Sequence, residues 1–150
     1  MLKVGDKAPD VELRTDSGEL FRLSDLKGKR VVLYFYPKAN TPGCTIEACE
    51  FGKSMKQFTK KGTTVVGISP DKPAAQANFK EKYDLPFTLL ADEEKAAAQA
   101  FGVWKEKNMY GRKVMGIERS TFVIGPDGKI EKIYGKVKAQ GHAAEVLAGL

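Results

Sequence analysis

The chain has two cysteines, and both stand in one short segment, "YPKANTPGCTIEACEF", as Cys44 and Cys49. Thr41, Pro42 and Gly43 precede the first of them. Threonine suits a helix N-cap and proline suits the first helical position, so the segment is expected to open a helix. Cys44 then falls in the first turn. There the backbone N–H groups lack helical acceptors, and the positive end of the helix dipole favours an anion. An ordinary thiol, with a pKa near 8.5, is only about 3% thiolate at neutral pH. A helix entrance and nearby cations increase that nucleophilic fraction, and the expectation is a Cys44 thiolate open to small oxidants. Position alone also admits a buried, inert cysteine in a helix cap.

Cys49 lies five residues further on. Five helical residues advance about 7.5 Å and rotate about 140°, placing the two Cα atoms roughly 8–9 Å apart. A disulfide needs Cα atoms closer than about 7 Å. Both cysteines in an intact helix therefore cannot bond; if they do bond, the first turns must unwind. The alternative for Cys49 is a small apolar residue on the core side of the helix.

The elements around this segment follow from patterning. "RVVLYFYP", Arg30 to Pro37, is a nearly continuous apolar run, as expected of a strand covered on both faces. "TTVVGISP", "FTLLAD" and "STFVIG" are three more strand candidates. The last leads through Gly125-Pro126-Asp127-Gly128 into "KIEKIYG", a β-hairpin pattern, and "DVELRTDSGELFRL" reads as two short strands near the start. Helical patterns cover Thr45 to Lys61, Lys72 to Tyr83, Glu93 to Phe101 and His142 to Leu150. "GVWKEKNMYGRKVMGIERS", with Trp104, Met109 and Tyr110, reads as a polar, glycine-punctuated loop near the site. Alternation of strands and helices implies one α/β domain over residues 1–150. Its expected form is a thioredoxin-like fold, a mixed central sheet flanked by helices, with an N-terminal β-hairpin. Order alone also permits other three-layer α/β folds.

Composition narrows the function classes. Hydrophobic residues make up 42% and charged residues 29%, as in soluble globular chains. No apolar run approaches the roughly 20 residues that span a bilayer. The N-terminus lacks a secretory pattern, so a cytoplasmic setting is expected, where a cysteine pair is redox-active or metal-binding rather than structural. The net charge of +6 is spread among interspersed acidic residues. That reads as a solvated basic surface, not a nucleic-acid interface.

"YPKANTPGCTIEACEF" resembles the active-site segment of peroxiredoxins, in particular the bacterioferritin-comigratory or Q-type branch. The pattern Pro-x-x-x-Thr-x-x-Cys falls on Pro37, Thr41 and Cys44, and the branch's second cysteine matches Cys49. The resemblance extends through "GDKAPDVEL", "VVGISPD", "ERSTFVIGPDGKI" and "GHAAEVL". One departure is Ala39, where the branch often carries Asp. The resemblance implies a peroxidase without metal or prosthetic group. Cys44 would attack the peroxide and become a sulfenic acid. Thr41 would hydrogen-bond the thiolate or peroxide, Pro37 would shield the pocket, and Arg119 would hold the thiolate and orient the substrate. Cys49 would condense with the sulfenic acid, and a thioredoxin-like dithiol would reduce the resulting disulfide. Hydrogen peroxide or an alkyl hydroperoxide is the implied substrate, and a monomer the implied state. Glu47, between the cysteines, would touch the arginine or the backbone, or stand as a plain surface carboxylate.

Three rivals remain at this level. Two cysteines plus His142 could carry a soft metal ion, although a helical Cys-x-x-x-x-Cys spacing serves this poorly; His142 otherwise caps or packs the last helix. A thiol–disulfide oxidoreductase would use Cys-x-x-Cys, a shorter gap than this one. A non-catalytic binding module gains nothing from a cysteine at a helix entrance.

Overall fold

The computed structural model describes residues 2–150. Fifteen elements follow one another: β1 (Glu12–Thr15), β2 (Leu20–Arg22), a 3-10 turn (Leu23–Leu26), β3 (Arg30–Phe35), α1 (Pro42–Lys53), α2 (Met55–Lys60), β4 (Thr63–Ser69), α3 (Pro73–Tyr83), β5 (Thr88–Ala91), α4 (Ala96–Ala100), β6 (Trp104–Met109), β7 (Arg112–Ile117), β8 (Ser120–Ile124), β9 (Ile130–Tyr134) and α5 (His142–Ala148). Seven strands form one mixed sheet in the order β2-β1-β5-β4-β3-β8-β9. β3, β4 and β5 run parallel, and the remaining pairs are antiparallel. This is the expected thioredoxin-like arrangement, with both predicted hairpins in place.

β3 sits between β4 and β8, and successive side chains of a strand point to opposite faces. Val31, Leu33 and Phe35 join one core, with Leu23, Ala97, Ala98 and Phe122. Val32, Tyr34 and Tyr36 join the other, with α1, α2, α3 and α5 packed over them. Two buried faces explain why Arg30 to Pro37 is apolar throughout instead of alternating. In the second core the Phe51 ring of α1 stacks on Tyr34 at a centroid distance of 4.7 Å and lies 5.8 Å from Phe58. Phe51 thus clamps α1 to the sheet two turns beyond Cys44.

Three boundaries differ from the sequence reading. The helix expected over Thr45 to Lys61 breaks at Ser54 (φ −95°, ψ 2°), whose N–H reaches back to the Glu50 and Phe51 carbonyls. Serine readily trades helical for local hydrogen bonds. The helix expected from Glu93 shrinks to α4 because Lys95 adopts a left-handed φ of 59°. The buried Asp92 carboxylate instead accepts the N–H groups of Ala97 (3.1 Å) and Ala98 (2.9 Å). The segment read as a loop near the site is a regular hairpin, β6 paired with β7 in a two-stranded sheet of its own. Its Tyr110-Gly111 turn has φ of 52° and 77°, as a two-residue type I′ turn requires.

Candidate active site

Cys44 is the third residue of α1 and 1% exposed. The first intrahelical bond runs from the Thr45 N–H to the Thr41 carbonyl, 2.9 Å. The N–H groups of Gly43 and Cys44 therefore have no helical acceptor. Cys44 belongs to the core that contains Tyr34 and Tyr36, which screens its sulfur from bulk water.

Arg119, between β7 and β8, reaches this sulfur. Its Nη2 donates to Cys44 Sγ at 3.4 Å, and its Nη1 donates to Glu47 Oε1 at 2.6 Å. Gly43 makes the approach possible, since a Cβ there would lie 3.3 Å from Arg119 Nη2. Burial works against the charge of Arg119, but Glu47 and Cys44 outweigh it and raise its pKa. Of the alternatives left open for Glu47, the arginine contact is the one formed. The carboxylate is fully buried one turn after Cys44, and its Oε2 has no partner among the described residues. Burial pushes its pKa up to about 7, with Arg119 pulling the other way. The ion pair thus holds one permanent cation against a carboxyl that changes charge near neutrality.

Thr41 stands at the N-cap with extended φ and ψ (−92°, 158°), but its side chain makes no cap bond. Its hydroxyl donates instead to the Lys38 carbonyl at 2.8 Å, closing the loop that carries Pro37. A buried chain of polar groups anchors the same loop. Tyr36 donates to Gln76 (2.6 Å), Gln76 to Ser69 (2.7 Å) and Ser69 to Asp71 (2.6 Å), while the Ala39 N–H also donates to Asp71 (2.8 Å). Each neutral link is worth about 1 kcal/mol net, whereas breaking one strands a buried polar group at about 1–3 kcal/mol. This chain escaped the sequence reading because its members stand up to 40 residues apart, as Tyr36 and Gln76 do. The nearest signal was the "SPD" closing "VVGISPD".

Cys49 is half-buried in the same unbroken helix, and both cysteines are free thiols. His142 opens α5, bonds Thr121 Oγ1 (2.7 Å) and Glu145 (2.9 Å), and packs edge-on against Phe51. Burial lowers its pKa while Glu145 raises it. No cluster of three or more metal-ligating side chains occurs among the described residues. The sequence reading also missed Lys107 of β6, which shares the charged surroundings of Cys44 and Arg119.

A helix entrance beside a guanidinium is a setting in which cysteines act as nucleophiles. Comparison with known proteins gives the family. The AhpC/TSA family model matches residues 4–133. Peroxiredoxin Bcp of Bacillus subtilis is 51% identical over 149 residues, covering 99% of this chain and 95% of that protein. A cysteine-to-serine variant of Xylella fastidiosa PrxQ superposes with a TM-score of 0.94 at 39% identity, over 99% of this chain and 95% of that one. Xanthomonas campestris peroxiredoxin Q gives a TM-score of 0.89 at 42% identity, over 93% and 88%. The chain belongs to the AhpC/TSA family, as a peroxiredoxin of the bacterioferritin-comigratory, Q-type branch and hence a thiol peroxidase.

Proposed function

We propose that the chain reduces hydrogen peroxide and organic hydroperoxides through Cys44, forms a Cys44–Cys49 disulfide, and is recycled by a thioredoxin-like dithiol. The observation that supports this most is the Arg119 side chain, shared between the Cys44 sulfur (3.4 Å) and Glu47 (2.6 Å). A hydrogen bond from a charged donor is worth about 1.5–3 kcal/mol, and a partly buried helix terminus up to about 2 kcal/mol, so the guanidinium and the helix entrance are comparable influences on the sulfur.

In the first step the Cys44 thiolate attacks the terminal peroxide oxygen. An S–O bond forms, the O–O bond breaks, and the leaving alkoxide or hydroxide takes up a proton. The orphan N–H groups at the start of α1 and the Arg119 guanidinium are the donors available to the developing charge. With its own proton on the Lys38 carbonyl, the Thr41 hydroxyl has lone pairs left to accept the peroxide O–H. Pro37 closes the pocket and keeps water from the sulfenic acid.

In the second step the Cys49 thiol attacks the sulfenic sulfur; the S–O bond breaks and water leaves. Since α1 runs unbroken through both cysteines, its first turns unwind for this bond to form. Exchange with an external dithiol then returns both thiols and oxidises the dithiol. We place this cycle in a single-domain cytoplasmic monomer that needs neither metal nor prosthetic group; among the described residues no helix is long and apolar enough to cross a membrane.

Mass spectrometry of the protein after one equivalent of peroxide tests the cycle. The expected result is a loss of two hydrogens, mapped to a Cys44–Cys49 peptide pair. A stable sulfenic acid with Cys49 still free would overturn the second step, and untouched thiols would overturn the first.

A further inference from the structure

The charges around Cys44 do not balance through pairs already described. Glu47 is matched by Arg119 at 2.6 Å, and Glu118 is matched by Lys105 at 2.8 Å. Lys107 remains. No carboxylate among the described residues lies within ion-pair distance of its ammonium. In the β6–β7 register Lys107 pairs with Val114 and Lys105 with Gly116, so these four side-chain positions share one face of the hairpin.

Lys107 does not extend into solvent from this face. It folds back along the hairpin towards its base. Its Cδ lies 3.2 Å and its Nζ 3.7 Å from where a Cβ on Gly116 would stand. A larger residue at Gly116 would displace the stem, so the glycine keeps the track clear. From that base the chain continues through Glu118 into Arg119. The stem so held passes Gly116, three residues before Arg119 in the chain; burial lowers the pKa of its ammonium, Arg119 adds to the lowering, and Glu118 and Cys44 oppose it. These are the charged groups that act on it from the β7–β8 junction and α1.

We propose that Lys107 is a substrate-specificity residue, a second cation of the site that recruits peroxides carrying a negative charge. A neutral peroxide meets a thiolate without penalty. An anionic one is repelled by it, and Arg119 is already shared with Glu47. Lys107 supplies the unmatched positive charge that offsets this repulsion. The inference rests on Cys44 being the sulfur that reacts with peroxide, and it changes no bond made or broken there.

The test compares 3-hydroperoxy-3-methylbutanoate with its methyl ester, a pair differing by one carboxylate charge on the same tertiary hydroperoxide. The quantity read is the ratio of second-order rate constants for Cys44 oxidation, acid over ester, by stopped flow in low salt. Lys107→Gln is expected to lower this ratio about 5- to 10-fold, as one partly screened charge pair would. Lys107→Arg, which keeps the charge, is expected to hold the ratio within about 2-fold. An unchanged ratio in Lys107→Gln overturns the proposal, and so does an equal fall in both variants, which would point to shape in place of charge. Oxidation of wild-type Cys44 by tert-butyl hydroperoxide checks the underlying peroxidase reading separately, because that substrate carries no charge for Lys107 to select.

Discussion

Cys44 and Cys49 share a helix, a side-chain type and a reduced state, yet their surroundings have little in common. Cys44 lies in the first turn, where backbone N–H groups are unspent, and a guanidinium touches its sulfur. Cys49 lies in the helix interior, where each N–H is consumed by the carbonyl one turn back, and no side chain hydrogen-bonds to it among the described residues. The same thiol is thus offered two chemistries by location alone. The contrast separates a sulfur at a helix entrance in contact with a guanidinium from one with no such partner, and it can be attacked from either end.

The largest effect is expected from Cys44→Ser. Removing the nucleophile leaves no other group able to accept the peroxide oxygen, so peroxide consumption should fall by about 10³-fold or more. Appreciable activity in this variant would mean that Cys49 is not the passive member, and the contrast would fail. Cys49→Ser should separate the two roles. The first oxidation of Cys44 is expected to keep its rate in a single-turnover measurement. Thioredoxin-coupled turnover should stop, and sulfenic and sulfinic species should build up in the mass spectrum. Sustained coupled turnover would remove Cys49 from the cycle. Arg119→Ala then tests what makes Cys44 different. The first step should slow by about 10²-fold, comparable to the loss of one preorganised donor, with less thiolate absorbance near 240 nm at neutral pH. An unaltered thiolate signal would assign the stabilisation to the helix terminus alone.

What could be read from the sequence depended on how far apart the cooperating residues stand. The entrance of α1 was legible because threonine, proline and glycine before a cysteine are local signals. The central strands were legible because burial on both faces leaves an unbroken apolar run. Arg119 was not legible by itself: 75 residues separate it from Cys44, and only the likeness to a known family drew attention to it. Thr41 was read as a cap for its type and position, but the Lys38 carbonyl lies closer to hand and takes its hydroxyl. The β6–β7 hairpin was taken for a loop because neither of its faces carries the strict alternation of a strand on a core. Val114 and Met115 are both well exposed, and its turn is Tyr-Gly instead of the commoner Asn-Gly. Glu47 shows the same limit. Its position on the helix allowed either burial or exposure, and the deciding partner, Arg119, lies 72 residues away.

Glu47 also gives the finest test of the contrast, because it titrates where the cysteines work. Its carboxyl has an ordinary value of 4.5 and is pushed up to about 7 in the folded chain, burial outweighing the pull of Arg119. Between those values the native state holds a proton that the unfolded chain has released. Stability linked to Glu47 is therefore fully present below about pH 4.5, declines as pH rises towards 7, and stays level above it. The direction is opposite to that of a carboxylate whose pKa is lowered by a salt bridge. The shift sets an upper bound, and relaxation around the buried group reduces it, so the decline is expected to be about 2 kcal/mol. Glu47→Gln keeps the shape and removes the proton. Urea unfolding at pH 5 and pH 8 should then show a smaller loss of stability with rising pH in the variant than in the wild type. Equal losses in both proteins would mean that Glu47 stays ionised throughout, with Arg119 rather than burial controlling its charge.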